Sequence, residues 1–114
     1  MTLVTFSYGK DGVIKECKAN GHAGFSKKGS DIVCAAVTIL FRTAIQVISQ
    51  IEGVECKADI SSRGNLAFRV DLNNREQAAV IRLCCAMDFL RVGIESLTRE
   101  YPENVQMREI INDF

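Results

Sequence analysis

The sequence is poor in the residue types that mark several common classes of protein. It has no tryptophan, one proline and one histidine, and its 14 basic side chains are balanced by 14 acidic ones. A general nucleic-acid binder needs a basic excess, so the balanced charge argues against direct binding of DNA or RNA. One histidine and no Cys-x-x-Cys pair leave a structural zinc site without its usual ligands. We therefore expect neither a metal nor a cofactor.

The sequence also offers few signs of export or of membrane insertion. No run of about 18 residues is apolar without polar breaks, which predicts no membrane-spanning segment. The N-terminal stretch MTLVTFSYGK lacks the basic region and apolar core of a secretory signal and is typical of a first strand. Five cysteines are an odd number, as expected for free thiols, so we predict a cytoplasmic protein.

Hydrophobic periodicity predicts the element order ββαββα, possibly with one more strand at the end. The predicted strands cover residues 3–8, 13–19, 54–61, 66–72 and 104–110, and the predicted helices cover 31–51 and 73–101. A capping box is expected at the start of the second helix. Two hairpins and two helices indicate an α+β fold with two layers. Its sheet of four to five strands is mostly antiparallel and carries both helices on one face. Residues 1–114 fit a single domain.

A glycine-rich loop, residues 20–30, separates the second strand from the first helix. Loops of this length in compact domains are often functional, so we take the loop as a candidate substrate-binding segment. Phe25 would cover or seat an apolar side chain of the substrate. Ser30 suits either a substrate contact or a helix cap, and we favour the cap. The full set of candidate substrate contacts is Gly21, Gly24, Phe25, Gly29 and Ser30.

Cys34 lies near the predicted start of the first helix, in line with the polar stripe of that helix. A cysteine nucleophile must be a thiolate, yet an ordinary cysteine is only about 3% ionised at pH 7. The free amides and the macrodipole at a helix start favour the anion by only about 0.3–1 kcal/mol. A nearby imidazole would have to supply the rest, and His22 is the only histidine in the chain. The polar stripe comprises Thr38, Arg42, Gln46 and Ser49.

Each of these residues also has a purely structural interpretation. Cys34 could simply pack, as most helical cysteines do, and His22 could be a solvated loop residue. Asp31 could cap the helix, which we slightly favour, or it could orient His22 as the third member of a triad, and both roles could coexist. The remaining cysteines are interpreted as packing residues. They are Cys17, Cys56, Cys84 and Cys85.

Two joined strings in this region resemble the signature of the bacterial ribosomal-processing cysteine proteases. They are GHAG at 21–24 and GSDIVCAAV at 29–37, and the chain length and element order are similar as well. The resemblance implies a homodimeric endopeptidase that removes an N-terminal extension from large-subunit ribosomal protein twenty-seven and so supports ribosome assembly. His22 and Cys34 match the catalytic dyad of the family, and Asp31 matches the acidic residue of the same motif.

The residues alone leave two other functions open. The chain could be a non-catalytic module that binds a peptide during ribosome assembly. It could also be a redox-sensing thiol protein, but a sensor needs a resolving cysteine close to Cys34 and none is near it in sequence. In the catalytic hypothesis His22 takes the thiol proton, and backbone amides near the helix start are candidates for holding the oxyanion.

Overall fold

The described part of the chain folds as a five-stranded sheet with two helices packed on one face. The computed structural model describes residues 1–21, 30–62, 64–73 and 76–111. The predicted α+β class, with two layers and the order ββαββαβ, is confirmed. The elements are β1 (Thr2–Tyr8), β2 (Ile14–Asn20), α1 (Ser30–Ser49), β3 (Val54–Ser62), β4 (Asn65–Leu72), α2 (Gln77–Glu100) and β5 (Val105–Ile111).

The strands lie in the order β3-β4-β2-β1-β5. The hairpin partners β1–β2 and β3–β4 pair antiparallel, as do β2 and β4, whereas β5 is parallel to β1. α2 carries the chain from the β4 side of the sheet to the far side, where β5 pairs. β3 and β5 are therefore the two edge strands, and four strand spacings of about 4.8 Å place them roughly 19 Å apart.

An aromatic pair helps to hold the helix layer on the sheet. Phe41 on α1 and Phe68 on β4 are both almost completely buried. Their ring centroids lie 5.7 Å apart at an interplanar angle of 80°. Such an edge-to-face contact adds about 0.5–1.5 kcal/mol to the gain from burial. α1 packs over β3 and β4, while α2 packs beside β5. The buried stripe of α2 comprises Ala79, Leu83, Met87, Leu90 and Ile94.

The start of α2 differs from the prediction. The helix begins at Gln77, and the preceding Glu76 makes no side-chain capping bond. The expected capping box is therefore wrong at Asn73, whose amide instead donates to the Gly53 carbonyl oxygen at 2.9 Å. The chain is still following the β3–β4 ladder at that point, so the helix cannot begin there. Asn74 lies outside the described residues.

α1 is apolar on nearly all of its faces. Its window Ile32–Ser49 has a mean hydropathy of 1.9 over 18 residues, so by length and composition alone it could cross a membrane. Only 28% of this window is buried. The buried part is one stripe that packs on the sheet, as expected for a core helix. A second apolar face of α1 is left uncovered. The buried stripe comprises Val33, Val37, Phe41, Ala44 and Ile48.

Candidate active site

Three neighbouring strand termini define one end of the sheet, which we call the site end. β2 ends at Asn20, β4 begins at Asn65, and β1 begins at Thr2. The Gly21 amide donates to the Gly64 carbonyl oxygen at 2.9 Å. The Thr2 hydroxyl donates to the Gly21 carbonyl oxygen at 3.5 Å. These bonds anchor the residue that directly precedes His22 to two neighbouring segments, so the glycine-rich loop leaves the sheet from a defined point.

The backbone at Gly21 requires glycine. Its φ of +101° lies in the region that residues with a side chain rarely adopt. A Cβ atom at this position would also collide with the carbonyl oxygen of Met1. Gly21 was predicted from sequence as a substrate contact, but its positive φ and the close approach of Met1 already account for a glycine here.

Gly21→Ala is expected to lower the free energy of unfolding by about 1–3 kcal/mol, the usual cost of a strained backbone conformation. Urea denaturation would measure the loss. Gly12→Ala is the matched control, because Gly12 also has a positive φ (80°) but an added Cβ would meet nothing within 4 Å. We expect the control to lose less. Equal losses in both variants would show that the collision with Met1 has no energetic weight.

Cys34 lies on the flank of α1 that faces away from α2. Leu40 marks the opposite flank, because its Cδ2 atom would lie 3.0 Å from a Cβ added to Gly93 of α2. Six residues turn a helix by about 600°, which leaves the side chains of Cys34 and Leu40 about 120° apart. The buried stripe lies between them. Cys34 itself is half-buried, so its thiol sits at the border between core and solvent.

The chain geometry places the start of α1 at the site end of the sheet. The Val54 amide donates to the Ile51 carbonyl oxygen at 3.2 Å, so β3 starts where α1 ends and runs back beneath it. The 20 residues of α1 span about 30 Å, and the nine residues of β3 span about the same length. Cys34 therefore lies towards the Ser62 end of β3, the end at which Gly21 precedes His22.

Most of the predicted loop contacts lie outside the described residues. These are His22, Gly24, Phe25 and Gly29, so the approach of His22 to Cys34 stays a prediction. Ser30 and Asp31 belong to the first turn of α1, but their side chains are outside the described part, and neither capping nor a triad role is tested.

The helix start revises one part of the electrostatic argument. α1 begins at Ser30, so Cys34 is its fifth residue and lies one position beyond the four free amides. The predicted helix start at residue 31 made Cys34 the fourth residue, within the first turn, and this placement is corrected. The influence of the macrodipole falls off within that turn. A larger share of any stabilisation of a Cys34 thiolate must then come from a neighbouring imidazole.

The other four cysteines differ in how deeply they are buried. Cys17 is buried, with its Sγ atom 3.9 Å from the Sδ atom of Met87, and burial raises the pKa of its thiol. Burial also raises the pKa of the half-buried Cys56 and Cys84. Cys85 is exposed, so its prediction as a packing residue is wrong. It lies on the outer side of α2, opposite the buried stripe.

Comparison with known proteins identifies the family of the chain. The family model described as Cysteine protease Prp matches residues 1–106. The chain belongs to the Prp family of cysteine proteases. A curated member, the ribosomal processing cysteine protease Prp of Bacillus subtilis, is 26% identical over 112 residues, which cover 94% of this chain and 96% of that protein. The predicted enzyme class, a cysteine protease, is confirmed.

Solved structures show that the Prp fold extends over nearly the whole chain. A Streptococcus mutans protein is 25% identical, with a TM-score of 0.75 and coverage of 98% of this chain and 96% of that one. An essential ribosomal processing protease Prp from S. aureus, solved with a substrate peptide, has a TM-score of 0.78 at 22% identity, covering 96% of this chain and 99% of that one. The same S. aureus protease was also solved with a covalently linked product peptide.

The sequence did not indicate which residues would share the Cys34 side of the helix layer. Thr38 and Ile45 lie on the Cys34 flank of α1, and Cys56, Ala58 and Ile60 lie on the helix-facing side of β3. The alternation along β3 was visible in the sequence. Nothing in the sequence indicated that this strand would be an edge of the sheet.

Proposed function

We propose that this member of the Prp family removes the N-terminal extension of bacterial large-subunit ribosomal protein twenty-seven, in the cytoplasm, and so supports ribosome assembly. The observation that carries the proposal is a half-buried Cys34 on α1 of a chain that matches the Prp family over residues 1–106. The Bacillus subtilis relative is a ribosomal processing protease, which supports this class of substrate. The S. aureus complexes support a peptide as the ligand.

In the proposed reaction His22 takes the proton of the Cys34 thiol, and the sulfur attacks the carbonyl carbon of the scissile peptide bond. Backbone amides near the start of α1 stabilise the oxyanion that forms. Cleavage of the C–N bond leaves a thioester on Cys34, while His22 returns the proton to the leaving amine. A water molecule, deprotonated by His22, then attacks the thioester and releases the carboxylate product and the thiol. Asp31 orients His22 or stabilises the start of the helix.

A peptide that spans the extension junction of the host's ribosomal protein tests the proposal directly. We expect one cut at the junction, identified by mass spectrometry, and no cut in a scrambled peptide of the same composition. A junction peptide that binds but stays intact would favour the alternative function, a non-catalytic peptide-binding module. A junction peptide that neither binds nor is cut would contradict both functions.

The uncovered apolar face of the helix layer supports a homodimer. Ile39 on α1 is 60% exposed and Phe89 on α2 is 71% exposed. Both lie near the place where Gly93 lets Leu40 approach α2 closely. Large contiguous patches of exposed apolar side chains commonly mark interaction surfaces, whereas singly scattered apolar side chains do not. A second copy presenting the same face would cover them by a two-fold contact. The other exposed aliphatic residues of this face are Ile32, Val47 and Val92.

Phe89→Lys is expected to weaken this dimer by about 30-fold or more in Kd, because a central aromatic residue usually dominates such an interface. Sedimentation velocity at micromolar concentration would show a shift from dimer to monomer. Ile111→Lys is the matched control, since Ile111 is 78% exposed but lies on β5, away from the helix face. A Phe89 variant that remains as dimeric as the control would exclude this face as the interface.

A further inference from the structure

We propose that Thr2 is a positioning residue for the general base, because its hydroxyl fixes the peptide group that joins Gly21 to His22. The inference rests on the proposed function, since that function makes His22 the base. It goes further by giving a role in the reaction to a residue of β1 that the mechanism does not otherwise use.

Both main-chain polar groups of Gly21 are held by other segments of the chain. The Gly21 amide donates to the Gly64 carbonyl oxygen at 2.9 Å. The Gly21 carbonyl oxygen accepts from the Thr2 hydroxyl at 3.5 Å. A peptide group is planar, so the direction of this C=O bond also sets the direction of the C–N bond to His22. The Thr2 hydroxyl therefore acts on the first peptide group of the glycine-rich loop.

Thr2 can serve as a fixed point because its own backbone is tied into the sheet. Its amide donates to the Asn104 carbonyl oxygen at 2.9 Å. It also pairs with Val105 in the parallel ladder between β1 and β5. Thr2 is only 4% exposed, and Val105 is completely buried. The hydroxyl is therefore presented to Gly21 from packed structure rather than from a solvated chain end.

Gly21 needs such support because glycine does not hold a backbone direction by itself. With no Cβ atom, glycine adopts a wider range of φ and ψ angles than any other residue. The positive φ of Gly21 and the nearby carbonyl oxygen of Met1 leave no room for a stiffer residue. Bonds from outside must then set the direction of the link. Among the described residues, Thr2 supplies the bond on its carbonyl side.

β1 carries a second buried threonine that serves as a matched control. Thr5 lies in the same strand as Thr2 and is 6% exposed. Its hydroxyl has no hydrogen-bond partner among the described residues. Valine in place of either threonine keeps the branching at Cβ and the preference for a strand, and removes the hydroxyl. A difference between the two valine variants therefore reports the bond to Gly21.

Thr2→Val is expected to lower kcat for the junction peptide about five- to tenfold and to leave KM within about twofold. A displaced base affects the transition state rather than substrate binding, and the bond is long, so the loss is smaller than that of the base itself. Thr2→Ser keeps the hydroxyl and should restore kcat to within about twofold of the wild type. Thr5→Val should leave both constants unchanged.

Urea denaturation of each variant would check that it folds. If Thr2→Val does not fold, Thr2→Ala takes its place, because it also lacks the hydroxyl.

The pH dependence of Cys34 labelling by iodoacetamide gives a readout that a loss of stability would not change. At about pH 6.5 Thr2→Val should label Cys34 about threefold more slowly than the wild type, because a displaced imidazole supports less thiolate. At about pH 9.5 the two rates should converge. In a His22→Ala background, adding Thr2→Val should change the rate little, since Thr2 acts through His22 and the two effects are not additive.

The outcomes separate this inference from the proposed function. If the wild type cleaves the peptide but Thr2→Val behaves like Thr5→Val, the positioning role is overturned and the peptidase function stands. The role is also overturned if Thr2→Ser is as slow as Thr2→Val, because packing would then be responsible. If the wild type does not cleave the peptide, both are overturned. Slow cleavage by Thr2→Val that serine rescues and that depends on His22 supports the role.

Discussion

Replacing Cys34 by alanine is expected to lower kcat for cleavage of the junction peptide by about four to six orders of magnitude, as the loss of a covalent nucleophile does elsewhere. No other group in the proposed mechanism can form the acyl intermediate. The fold should tolerate the change, because Cys34 is only half-buried. Cys85→Ala is the matched control, since it removes an exposed thiol from a helix without touching the site.

Thiol labelling independently tests whether the Cys34 thiol is activated. Iodoacetamide near neutral pH should modify Cys34 much faster than the other cysteines. Burial raises the pKa of Cys17, Cys56 and Cys84, so these three should react slowly. Cys85 is exposed in the single chain but lies one helical turn from Phe89 on the proposed dimer face, so the comparison is made in the monomeric Phe89→Lys variant, where access does not limit Cys85. Equal rates at Cys34 and Cys85 would argue against an activated nucleophile, and cleavage that persists in Cys34→Ala would end the assignment.

Replacing His22 by alanine is expected to lower kcat by about two to four orders of magnitude, the usual contribution of a general base. A pH series of iodoacetamide labelling tests its second role, as a cationic partner of the thiolate. At about pH 6.5 the variant should label Cys34 at least about tenfold more slowly than the wild type, because less thiolate is present. At about pH 9.5 the two rates should converge, since an ordinary thiol is then ionised as well.

The control for His22 must separate loss of the imidazole from disturbance of the loop. Lys27→Ala changes another side chain of the same loop, one without a role in the proposed proton transfer, so it should lower cleavage far less than His22→Ala and leave labelling unchanged. If His22→Ala labels at the wild-type rate throughout the pH series, the thiolate does not depend on this imidazole. A loss of cleavage equal to that of Lys27→Ala would contradict its role as the base.

The predictions that failed share a physical origin. The capping box was expected from residue types alone, but the bond between Asn73 and Gly53 keeps that segment in the sheet. Cys85 looked like a packing residue because it is apolar and helical. Which face of α2 is buried depends on where that helix docks, and Cys85 falls on the other side. In each case a contact between residues distant in sequence overrode a local preference.

By itself, the sequence determined the order of strands and helices, because hydrophobic residues recur with a period of two in the strands and 3.6 in the helices. It also singled out Cys34 and His22. The chain has one histidine, and Cys34 follows it near the predicted start of the first helix. Only the tertiary structure decided that Cys34 faces away from α2 and that β3 is an edge strand. Both follow from the way α1 docks on the sheet, and docking depends on packing between elements far apart in sequence.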